Sequence, residues 1–165
     1  MKIADVHAHV FPEKLAVKAA GSIGQFYGAE MYCEASMERL VAEEEKAGVS
    51  RYVISSSAVV PKQVRSIVEF LAEARKGHPE CISFGSIYPG MDGYEEVLDE
   101  LQALGSRGLK IHPDFQKLPI DDPSGIETYR SIARRGLPVL MHMGDNRYDF
   151  SSPERLTNLI RQVPD

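Results

Sequence analysis

Residues 49–77, VSRYVISSSAVVPKQVRSIVEFLAEARKG, decide the fold. Val49 to Ser57, with Tyr52-Val53-Ile54 at its centre, is rich in apolar residues on both faces. That composition reads as a strand covered on both sides. From Pro61 to Lys76 the period changes, and Val64, Ile67, Val68 and Leu71 recur at helical spacing until Gly77. A strand followed at once by an amphipathic helix is the repeating unit of a parallel sheet with crossover helices.

The same unit recurs in both directions. Lys2 to Val6 is a short strand that ends at Val10-Phe11-Pro12, and a short helix is expected over Pro12 to Ala20. Gly21, Gly24 and Gly28, with Phe26, Tyr27 and Tyr32 among them, indicate a shaped loop. Met37, Leu40, Val41, Glu44 and Ala47 share one helical face, with Ser36 as N-cap and Gly48 past the end. Downstream, strands are expected over Cys81 to Tyr88, Gly108 to His112 and Leu137 to His142. Helices follow each of them: one capped by Asp92 with Glu95, one opening at Asp122-Pro123, and one capped by Ser151 with Glu154. The pattern is α/β, a (β/α) barrel of the TIM type with its first five strand-helix units present. The whole of 1–165 reads as one domain, incomplete at its C-terminal side.

Four of the five histidines fall at strand C-terminal ends: His7, His9, His112 and His142. Ligands of parallel α/β folds bind at that rim. In Asp5-Val6-His7-Ala8-His9 the strand period aims Asp5, His7 and His9 to one side, where two neutral imidazoles at i and i+2 can share a divalent cation. Asp5 lies deeper and suits orienting a ligand. Lys110 and His112 again share one face. A buried Lys110 could pair with Asp5, touch a substrate carboxylate, or carry a modification that makes it an anionic ligand. Asp145 could hydrogen-bond a ligand or cap the turn after Gly144, and Arg147 and Tyr148 could meet an acidic substrate or stand exposed. The loops at Phe26-Tyr27 and Pro113 to Leu118 are the natural pocket walls, while His78 falls on the opposite side and should be solvated.

DVHAH, Gly-Leu-Lys-Ile-His-Pro at 108–113 and Val-Leu-Met-His-Met-Gly-Asp at 139–145 together resemble the amidohydrolase superfamily, in its amidohydrolase-related branch. The resemblance implies a metal-dependent hydrolase of the TIM-barrel fold acting on an amide, ester or lactone of a small organic acid. A nonoxidative decarboxylase of an aromatic or unsaturated acid is the alternative, and a non-catalytic metal-binding fragment a third. It implies a divalent metal, zinc or else manganese, on His7, His9 and His142. Asp5, Lys110, His112 and Asp145 then orient those ligands or touch substrate. It also places a histidine and the aspartate general base on later strands, beyond Asp165.

A net charge of -5 and a pI near 5.6 argue against a nucleic-acid or anionic-membrane partner. The expected partner is a small molecule, with a homo-oligomer as a way to cover open sheet edges. Cys33 and Cys81 match no metal or disulfide spacing. Met1 runs straight into the first strand, so cytoplasm is the expected location.

Overall fold

The computed structural model describes residues 2–163. Met1 and the Pro164-Asp165 stop of the last helix lie outside the described residues. Five parallel strands stand in sequential order, β1 (Ile3–His9), β2 (Val49–Ser55), β3 (Cys81–Ser86), β4 (Leu109–Ile111) and β5 (Val139–Met141). Helices alternate with them: α1 (Glu13–Tyr27), α2 (Met37–Ala47), α3 (Val64–Ala74), α4 (Tyr94–Ala103), α5 (Pro113–Gln116), α6 (Ile126–Arg134) and α7 (Pro153–Gln162). The result is a curled half-barrel, the first five units of a (β/α) barrel, with β1 and β5 as its outer strands.

The core lies between the sheet and the helices. Leu109 and Ile111 of β4 pack with Val64 and Val68 of α3, Val97, Leu98 and Leu101 of α4, and Ile126, Tyr129 and Ile132 of α6. Tyr52 and Ile54 of β2 join Leu71 of α3 and the Met37, Leu40 and Val41 stripe of α2. Each fully buried Leu or Ile contributes about 1.5–3 kcal/mol. Since Leu109 and Ile111 face the helices, alternation sends Lys110 to the inner face, beside its register partners Ser86 and Leu140.

Four local readings change. The first helix runs on to Tyr27 through Gly21 and Gly24, and ends only at Gly28 in the left-handed region. Gly24 is required because a side chain there would sit 2.5 Å from the Ala29 carbonyl oxygen as the chain doubles back. The N-cap of α4 is Gly93 and not Asp92, and that of α7 is Ser152, whose Oγ accepts from Arg155 N–H. Ser151, fully buried, instead faces the Asp145 N–H across the turn. The segment after His112 is not plain loop, since Pro113–Gln116 make the one-turn α5.

The fourth change concerns the first strand. Asp5 pairs with Tyr52 and Ala8 with Ile54, three steps on β1 against two on β2. This extra residue is a bulge, and it breaks the alternation. Asp5 therefore shares the helix-facing side with Tyr52, away from His9, and cannot reach Lys110's face. Its carboxylate accepts from the His7 N–H at 2.8 Å and meets the carboxyl of buried Glu44 on α2. Burial, then the Asp5 carboxylate, push Glu44 up to about 7.

Candidate active site

The strand C-termini build the site in two halves. On β1, His7 and His9 turn their rings together, with Nε2 atoms 3.1 Å apart. Two imidazoles on one tetrahedral or octahedral ion hold their nitrogens roughly 2.9–3.3 Å apart. The pair thus already has the bite of a chelate. Burial, then the charge of Lys110, lower the pKa of His7, and they push His9 down to about 3. Both are neutral near pH 7, the form that binds metal.

Across the rim, His112, Asp114 and His142 bring ligand atoms within 4.8 Å of one another. His142 follows β5 with its N–H on the Ile111 carbonyl, which fixes it beside His112, and the two rings stack at 3.9 Å. The Asp114 side chain is 0% exposed, and among the described residues neither of its oxygens has a hydrogen-bond partner. Its Oδ2 lies 3.9 Å from His142 Nε2, too long for a hydrogen bond. A buried carboxylate left unpaired is costly unless something cationic joins it. His142 thus gathers with His112 and Asp114, while His7 and His9 form their own pair.

His112 is spent on the protein. Its Nδ1 accepts the Phe115 N–H at 3.3 Å, capping α5, and its Nε2 lies 2.9 Å from Tyr27 Oη. Burial, then the nearby His142, push it down to about 2. Within that trio, His142 and Asp114 keep free ligand atoms.

Lys110 lies one layer down, 0% exposed, and among the described residues its Nζ has no hydrogen-bond partner. Burial alone pulls it down to about 8. The pairing with Asp5 open to it in the sequence does not occur. Asp145 serves the turn: it accepts the Arg147 N–H and grips the guanidinium, which holds its carboxyl near 2. Arg147, so anchored, also donates to the Phe26 carbonyl and covers the Phe26 ring at 4.5 Å. His78 is half-buried, with Nδ1 3.1 Å from Glu80.

The walls are aromatic. Phe115 stacks on His112 at 3.6 Å, and Phe26 meets Phe115 edge-on at 4.7 Å. Tyr148 lies 5.8 Å from Phe26. Both expected wall segments reach the rim, the first because α1 extends to Tyr27. Asp114 is the residue the sequence did not single out. Its signal, an acid two residues past a strand-end histidine, was present but ordinary.

The amidohydrolase family profile matches residues 4–165. The chain belongs to the amidohydrolase family. Solved structures share the fold at low identity. A probable 2-pyrone-4,6-dicarboxylic acid hydrolase of Acinetobacter baumannii is 17% identical with a TM-score of 0.64, over 100% of this chain and 55% of that one. The apo IDCase of Metarhizium anisopliae is 14% identical at 0.70, over 98% and 62%. The 5-carboxyvanillate decarboxylase of Novosphingobium aromaticivorans, solved with manganese and a nitrobenzoic acid, is 15% identical at 0.68, over 87% and 50%. The chain thus spans about half to three-fifths of the length of these neighbours. No curated protein matches the sequence. Among the described residues, no helix is long and apolar enough to cross a membrane.

Proposed function

We propose that this chain carries the metal-binding part of a hydrolase that directs an activated water at an amide, ester or lactone of a small organic acid. The observation that carries the reading is the donor set, two Nε2 atoms 3.1 Å apart facing a rim with a buried, unspent Asp114 carboxylate. His7, His9 and His142 would hold the ion, zinc or manganese, with Asp114 the anionic donor beside His142. When bound, such an ion polarises a carbonyl or carboxylate oxygen and makes water acidic enough to serve as a nucleophile near pH 7. The depressed imidazoles stay unprotonated and free to bind it. Lys110 offers a positive charge to the acid. The family resemblance puts a further base on a later strand.

The aromatic walls favour a second reading, nonoxidative decarboxylation of a planar unsaturated acid. Phe115, His112 and His142 form a continuous stack along which a ring can lie. One experiment separates the readings. Protein loaded with Zn²⁺ or Mn²⁺ is offered 2-pyrone-4,6-dicarboxylate and 2,6-dihydroxybenzoate, while ring opening and CO₂ release are followed. Ring opening of the lactone supports hydrolysis, and CO₂ from the benzoate supports decarboxylation. Metal bound with neither product reduces the chain to a metal-binding fragment.

A further inference from the structure

We propose that the Tyr27 hydroxyl is a fixed hydrogen-bond donor for an oxygen of the bound acid, and that His112 is the positioning residue that fixes its sense. The inference rests on the second reading of the proposed function only for the class of ligand, a small planar unsaturated acid.

The proton count at His112 fixes the sense of each hydrogen bond. His112 Nδ1 accepts the Phe115 N–H that opens α5. A ring nitrogen that accepts carries no hydrogen, so the single proton of the neutral imidazole sits on Nε2. That nitrogen is 2.9 Å from Tyr27 Oη, so the ring donates and the phenol oxygen accepts. The hydroxyl hydrogen cannot then point back at His112. Among the described residues, no protein acceptor takes it. Backbone geometry at α5 thereby dictates, through one ring, the direction of a donor on α1.

Location decides what the donor is for. Tyr27 is 38% exposed, and its ring centroid lies 6.1 Å from that of His142 and 6.0 Å from that of Phe115. It therefore stands at the lip of the stack formed by Phe115, His112 and His142. A planar acid lying along that stack brings its carboxylate or carbonyl oxygen to the free hydrogen. A phenylalanine would pack equally well there but would offer no donor and would leave the His112 Nε2–H unpaired.

A purely structural role, tying α1 to β4, makes a different forecast, and the following test separates the two. The probe is 4-hydroxy-3-methoxy-5-nitrobenzoate, whose absorbance reports binding, titrated into the full chain with and without Mn²⁺. Tyr27→Phe should weaken the probe about tenfold, the cost of losing a hydrogen bond to a charged acceptor, with Mn²⁺ affinity unchanged. His112→Asn keeps an acceptor for the Phe115 N–H but releases the hydroxyl to rotate, and should cost about threefold. Equal probe affinity in Tyr27→Phe and wild type, with only a lower melting temperature, would overturn the proposal. So would a wild type that fails to bind the probe in either condition. If Mn²⁺ does not bind but Tyr27→Phe still weakens the probe, the metal reading fails and the Tyr27 assignment stands.

Discussion

His7 and His9 stand on β1, the first strand in the order of the described sheet, whereas Asp114 and Lys110 sit fully buried across the rim. The first pair is nearly a finished chelate, with His7 exposed and His9 half-buried, and its geometry is set by a bulge that turns Asp5 away. The second half is closed and aromatic, and its Lys110 and Asp114 have no hydrogen-bond partner among the described residues. Exposure makes a site easy to fill and cheap to leave empty. Burial of unpaired charge makes a site that is strained until a ligand completes it. The two halves should therefore answer differently to substitution.

The largest expected effect breaks the β1 half. His7→Ala/His9→Ala should lower Zn²⁺ or Mn²⁺ affinity by about a hundredfold or more, since two ligands of one ion are lost together. Elemental analysis after dialysis against a metal buffer checks it. Equal metal content in wild type and double variant would transfer the whole metal role to Asp114 and His142.

Next comes the buried ammonium. Lys110→Met removes a desolvated charge that no hydrogen bond compensates, and it keeps nearly the same volume. The metal-free variant should be more stable by roughly 2 kcal/mol in urea unfolding. Loss of stability instead would mean that Lys110 has an ionic partner within the fold.

His142→Ala should weaken metal about tenfold, while His78→Ala, bound to Glu80 away from the rim, should leave it unchanged. Competition with a chromophoric chelator reads both. Matching behaviour of the two variants would dissolve the distinction between rim and loop histidines.

The sheet and the rim histidines were legible because periodicity and strand ends are local properties of the chain. Tyr52-Val53-Ile54 and Val139-Leu140-Met141 need no tertiary information to read as strands. The direction of Asp5 was not legible, since the bulge arises from pairing with β2 and leaves no mark in DVHAH. Caps slipped by one residue at Asp92/Gly93 and Ser151/Ser152, where two capping types stand side by side and the path of the chain chooses between them. Asp114 became notable only through its burial, a property of its neighbours. Glu44 did leave a trace, as a lone acid in the apolar stripe of α2.

That trace gives the smallest effect, and in pH it sets Glu44, behind β1, against the histidines of both halves. With metal removed, His9 and His112 titrate near 3 and 2 in the fold, against about 6.5 when unfolded. As pH falls below 6.5 the unfolded chain takes up protons the fold refuses, so stability drops toward acid. Glu44 acts in the opposite sense. Its folded value near 7 lies above the ordinary 4.5, so its contribution is complete below 4.5 and is lost as pH rises toward 7. Glu44→Gln keeps a neutral hydrogen-bonding group beside Asp5 and removes only that second slope. Between pH 5 and 7.5 the metal-free variant should therefore gain about 1–2 kcal/mol over wild type, with no gain at pH 4.5. Chemical unfolding at three pH values measures the difference. A variant whose curve runs parallel to wild type across that range would show that burial beside Asp5 does not raise Glu44. The bulge would then owe nothing to their pairing.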